Sequence, residues 1–220
     1  VLPVTSTLTL GHQFQVYNDS TGAVTVQSSG ANEIAIVSPG TWCTFTCILV
    51  TGTTAASWTY RFGTTMTLGV SVATTSGTSI DYTGIPAWVK RITVLLSGVS
   101  TNGTSSSMVQ IGDSGGIENT SYTSTGGNIS TATAAFASAT NGFLLTNGQG
   151  TGDKFNGLYI ITNHSGDTWV MQGTAHLATS TMAFGAGSKT LSATLDRIRL
   201  TTAGGANTFD AGTINILLEG

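Results

Sequence analysis

The chain has 220 residues, of which 8% are charged and 40% hydrophobic; seven Lys or Arg against ten Asp or Glu give a net charge of −3. So few cations exclude the basic footprint of a nucleic-acid-binding protein. No apolar run approaches the ~20 residues of a membrane-spanning helix, and the apolar content is too high for a disordered chain.

Twenty-nine glycines and abundant Thr, Ser and Asn predict many short strands joined by tight turns. QFQVYN, AVTVQSS, EIAIVS, TWCTFTCILV and SWTYRF follow one another over residues 1 to 62 as a β-meander. Phe14 and Val16, Val24 and Val26, and Ile34 and Ile36 alternate with more polar neighbours, the pattern of half-buried strands. Cys43 and Cys47 share one strand with Phe45 between them. At ~3.3 Å per residue they stand about 13 Å apart, beyond the ~7 Å that a disulfide spans. They read as buried thiols in a chain that folds in a reducing cytosol.

Residues 63 to 80 are rich in Gly, Thr and Ser and mark a boundary, dividing the chain into a small β module, 1–64, and a larger domain, 65–220. The second domain is predicted to begin with a strand through Met66, Leu68, Val70 and Val72. WVKRITVLLSGV, SSMVQIG, FNGLYIITN, DTWVMQGTAHLA, KTLSATLDRIRLTT and GTINILLEG are its further strands. Asn-Gly pairs at 102, 141, 147 and 156 suit hairpin turns. TATAAFASAT, 131–140, is the one helix candidate. The expected fold is all-β: a small β-meander followed by an antiparallel, jelly-roll-like β-sandwich. Because so sparsely charged a surface favours association, we expect a homo-oligomer. A start at Val1 without an initiator Met suggests a piece of a longer protein.

Gly112-Asp113-Ser114-Gly115-Gly116 matches the surroundings of a serine-protease nucleophile. A trypsin-like order needs a His and an Asp upstream, and only His12 precedes Ser114. The hydrolase order, Ser114 then Asp153 or Asp167 then His164 or His176, lacks a helix after the nucleophile. The simpler reading is a turn: Asp bonds its own main chain two residues on, and Gly accepts φ > 0. Glu33, Glu118 and Asp153 are the conceivable members of a glycosidase carboxylate pair, yet each sits in a turn-like context. No catalytic residue, metal site or cofactor is expected.

The stretch GIPAWVKRITVLLSGVSTNGTSSSMVQIGDSGGIENTSY, 84–122, resembles the carboxy-terminal head region of tailed-bacteriophage tail fibre proteins. LSATLDRIRLTTAGGANTFDAGTINILLEG, 191–220, is similar to the closing segment of that region, and residues 8–58 resemble a small module that precedes it. The resemblance implies a homotrimer at the distal end of a fibre in the virion, made in the host cytoplasm. It also implies a non-enzymatic role in binding the bacterial surface, through a glycan or an outer-membrane protein. A polysaccharide depolymerase or esterase domain and a purely structural trimerisation tip are the alternatives.

Aromatic, amide and imidazole groups beside polar loops make Tyr122, Phe143, Asn156, His164 and Trp169 the candidate receptor-binding residues, with core positions the alternative for Phe143 and Trp169. Arg91, Arg197 and Arg199 fall on the less apolar faces of their strands, with Asp196 and Glu219 as possible partners; Arg91 is expected to meet a carboxylate at a domain or subunit interface.

Overall fold

A computed structural model describes residues 1–178 and 180–220. The fold is all-β, built from antiparallel sheets arranged as a sandwich. The chain forms two compact units, Val1–Met66 with Glu219–Gly220, and Thr67–Leu218.

In the first unit the strands are β1 (Gln13–Asn18), β2 (Val24–Gln27), β3 (Glu33–Val37), β4 (Thr41–Cys47) and β5 (Trp58–Thr64). β4 lies between β1 and β5 in one sheet, and β2 and β3 form a separate hairpin. Period-two alternation sends Cys43, Phe45 and Cys47 to one side of β4, where they are buried with Val26, Ile34, Val37 and Trp58. Both cysteines are free thiols. Burial pushes the Cys43 thiol above its ordinary pKa, so it stays protonated and behaves as a small hydrophobe. Leu49, two residues beyond the end of β4, is exposed.

The remaining strands are β6 (Met66–Leu68), β7 (Val72–Ala73), β8 (Ser79–Thr83), β9 (Arg91–Thr101), β10 (Ser107–Asp113), β11 (Gly116–Ile117), β12 (Thr123–Ser130), β13 (Ala134–Ala139), β14 (Phe143–Leu144), β15 (Phe155–Ser165), β16 (Thr168–Ala178), β17 (Thr181–Thr190), β18 (Leu195–Thr202) and β19 (Phe209–Glu219). A five-stranded sheet runs β11-β10-β18-β8, with β14 added beside β10. A nine-stranded sheet runs β13-β12-β17-β16-β15-β9-β19-β6, with β7 also on β19.

Segment 131–140, the helix candidate, contains β13, an edge strand. Its Ala-rich composition favours a helix only weakly across so short a stretch. Register pairing of Ala134 to Ala139 with β12 satisfies its backbone instead.

The core of the larger unit lies between the two sheets. Val109, Ile111, Ile198 and Leu200 from the five-stranded sheet meet Ile92, Val94, Tyr159, Ile161 and Met171 from the other. β14, beside β10 in the five-stranded sheet, and the residue after it tie that sheet to the other. Leu145 N–H donates to Ser107 O at 3.0 Å, and the Tyr159 hydroxyl donates to Leu145 O at 2.8 Å.

Candidate functional site

The Gly-Asp-Ser-Gly-Gly segment is the turn that joins β10 to β11. Asp113 Oδ1 accepts from Gly115 N–H at 2.7 Å, an Asx turn, and Gly116 has φ +140°, a region that favours glycine. Ser114 is exposed at the tip. Among the described residues no histidine hydrogen-bonds to it; His164 and His176 belong to β15 and β16, in the other sheet.

Behind this turn lies a polar cluster. The Lys189 ammonium, only 4% exposed, sits 2.5 Å from Glu118 Oε2 and 5.5 Å above the ring of Tyr122. The Ser192 hydroxyl lies 2.7 Å from Asp113 Oδ2 and 2.9 Å from Glu118 Oε1, and the Ser192 N–H donates to Glu118 Oε1 at 2.7 Å. The buried Tyr122 hydroxyl accepts from Ile111 N–H at 2.8 Å and lies 2.9 Å from Glu118 O. Lys189 is thus paired with a carboxylate, which is what makes its burial tolerable, and Asp113 is met by hydrogen-bond donors.

The bond from Ser192 and the Gly115 N–H hold the Asp113 carboxyl below its ordinary value of 3.8. Burial alone would raise Glu118, but Lys189 and the two Ser192 bonds outweigh it and hold the carboxyl below its ordinary 4.5. Depressed carboxyl values stabilise the fold above the ordinary range and lose that contribution as pH falls through the folded-state values. The melting temperature is therefore expected to be flat above about pH 5 and to fall steadily below about pH 4. Calorimetry of the parent beside Asp113→Asn/Glu118→Gln checks this: the variant starts lower and has the shallower acid slope.

The five residues expected to bind a receptor do not converge. Tyr122 and Phe143 are core residues that pack edge to face, with ring centroids 4.9 Å apart. Trp169 is likewise in the core, on the inner face of β16. Burial against the opposite sheet leaves these three no face for a receptor. Asn156 and His164 are exposed, but they stand near opposite ends of β15, about 26 Å apart at strand rise. Both amide atoms of Asn156 are engaged, Oδ1 accepting from Gly98 N–H at 2.9 Å and Nδ2 donating to Lys154 O at 3.1 Å.

Arg197 and Arg199 pair with Asp196 and Asp81, each through a 2.7 Å bond from Nε. Arg91 opens β9 on its exposed side. Asp153 accepts from Gly150 N–H at 2.6 Å within a turn, and Glu33 begins β3 in the first unit. Among the described residues no group of three His, Cys, Asp or Glu is placed to hold a metal ion, and no helix is long and apolar enough to cross a membrane.

A different feature stands out. Paired residues of antiparallel strands point to the same face, so the outer face of the nine-stranded sheet can be read row by row. One row runs Phe136, Gly127, Phe184, Thr174, Leu158, Leu95; the next runs Ala134, Ile129, Met182, His176, Asn156, Ser97. A third runs Ser138, Thr125, Ala186, Gln172, Ile160, Thr93. None of these side chains is an Asp, Glu, Lys or Arg. Phe136 is 61% exposed, Met182 53% and Ile129 52%. Ile129, His176, Met182 and Phe184 surround an open apolar hollow of about 620 Å³.

The fold and its surfaces define an all-β sandwich protein whose larger sheet carries a charge-free, partly apolar stretch on its outer face. Compared with family models, with curated proteins and with solved structures, the chain finds no match.

Proposed function

We propose that this chain is the receptor-binding tip of a tailed-bacteriophage tail fibre. It is a non-enzymatic homotrimer at the distal end of the fibre in the virion, and it attaches the particle to a glycan or outer-membrane protein of the host surface. The resemblance of residues 84–122 and 191–220 to the head region of such fibres supports the reading. The observation that carries it is the outer face of the nine-stranded sheet. Exposed Phe, Met, Ile and Leu side chains stand there without a formal charge among them across three rows, and large patches of that kind mark association surfaces. Two further copies of the chain are the occupant that matches it, since an uncharged face meets an uncharged face with no ion left unpaired. Three weak sites on one fibre then act together, raising avidity by 10²–10⁴ over a single site.

Fluorescently labelled chain is expected to adsorb to cells of the host strain and to slow infection by the virion in proportion to dose. Cells lacking the receptor glycan or outer-membrane protein are expected to bind at background. Failure both to adsorb and to protect host cells would refute the attachment role.

A further inference from the structure

The side of the five-stranded sheet that faces away from the core carries a second recess. A polar hollow of about 270 Å³ is bordered by Gln110, Asn119, Asn141, Arg199 and Thr201. It adjoins a hollow of about 400 Å³ floored by Ala137, Ala139 and Leu144. Asn141 and Ala203 border both, so the two form one groove. Its combined size falls in the ordinary range of roughly 300–1,000 Å³ for small-molecule sites.

The unused hydrogen-bonding groups in the groove define its ligand. Gln110 Nε2 donates to Asn141 O at 2.7 Å, while among the described residues Gln110 Oε1 has no partner. Asn141 Nδ2 reaches Ala203 O at 3.4 Å, and its Oδ1 is likewise unpaired among the described residues. The Asn119 amide makes no side-chain hydrogen bond among the described residues. Arg199 gives Nε and Nη2 to the two oxygens of Asp81, each at 2.7 Å, which leaves the Nη1 hydrogens. Donors and acceptors are thus mixed, as vicinal hydroxyls require. The charge is cancelled: among the described residues the one cation bordering the groove, Arg199, is held by a carboxylate in a two-bond pair, so a phosphate or carboxylate ligand would meet no free positive charge there. The apolar floor beside these groups suits the C–H face of a sugar ring.

We infer that this groove binds a neutral oligosaccharide, with Gln110, Asn119, Asn141 and Arg199 taking its hydroxyls. The inference names a ligand class for the attachment surface proposed above and rests on that reading for its biological setting.

Saturation-transfer NMR on the whole chain with maltotriose, cellotriose and chitotriose, and with trigalacturonate as the acidic counterpart, tests it. At least one neutral trisaccharide is expected to receive saturation and the acidic one none. Asn119→Ala, on an exposed loop where folding is not at stake, is expected to weaken binding about threefold to tenfold, the effect of one hydrogen bond. Asn141→Ala/Gln110→Ala is expected to abolish it while circular dichroism still shows a folded chain. Gly22→Ala, in the first unit where an added Cβ meets nothing within 4 Å, is expected to leave the signal intact. The inference is overturned if no neutral trisaccharide binds, if trigalacturonate binds equally, or if Asn119→Ala binds as the parent does. Adsorption to host cells that persists undiminished in Asn119→Ala and is not displaced by the trisaccharides keeps the attachment reading and removes the groove from it.

Discussion

Phe136→Glu/Met182→Glu is expected to sediment at the 22.4 kDa of a single chain, where the parent sediments at three times that mass. Both side chains are more than half exposed within one chain and stand on the outer face of β13 and β17. If copies of the chain cover this face, each trimer must bury six new carboxylates against Ile129, Leu158 and Phe184, and an unpaired buried carboxylate costs several kcal/mol. No Lys or Arg stands in these three rows to meet them, and only the carboxylate at 182 has an imidazole, His176, opposite it. Ala193→Glu, in the exposed loop before β18, adds charge without touching this face and is expected to leave the mass unchanged. Sedimentation equilibrium over a tenfold concentration range reads all three proteins. A parent that sediments as one chain at every concentration would sink the trimer, and with it the account of why a surface can do with so few charges.

The elements legible in the sequence were those whose pattern is local. Cys43, Phe45 and Cys47 alternate within one strand, and period two alone sends them to one face. Asp113 followed by glycines is a turn because the carboxylate reaches its own main chain, whatever the distant histidines do. Ala134 to Ala139 show the opposite case: the helical leaning of alanine is local, while the β12 edge that captures the strand is not. Tyr122, Phe143 and Trp169 sit beside polar loops in the chain, yet the opposite sheet buries them, and nothing within a few residues of each reports that sheet. Lys189 and Glu118 are 71 positions apart by their numbers, and only the topology brings them together. The candidate groove is the extreme case. Gln110 and Arg199 become neighbours through the pairing of β10 with β18, and Asn141 arrives with the segment that leads into β14. No spacing rule could have assembled it.

The β14 segment makes the second strong prediction. Gly185→Val is expected to lower the melting temperature by roughly 10 °C, on a cost of about 3 kcal/mol or more at 2–4 °C per kcal/mol. Gly126 and Gly185 are cross-strand partners on the inner face of β12 and β17. A Cβ on Gly185 would fall 2.0 Å from the carbonyl oxygen of Leu144, and one on Gly126 would fall 2.7 Å from the Leu144 Cβ. The obstacle at Gly185 is main chain, and it is fixed. Leu144 pairs with Met108 of the five-stranded sheet, and the next residue is held by Ser107 and by the Tyr159 hydroxyl. The bare strip of glycine is what lets the β14 edge of the five-stranded sheet come so close to β12 and β17 of the other sheet. Adding two methyl groups and the Cβ there must push the segment out, breaking its bond to Tyr159 and opening the core around Phe143. Gly22→Ala, where an added Cβ meets nothing within 4 Å, is the control and is expected to melt with the parent. Calorimetry decides: a Gly185→Val chain that melts with Gly22→Ala would mean that the segment from Phe143 to Thr146 does not lie against this sheet.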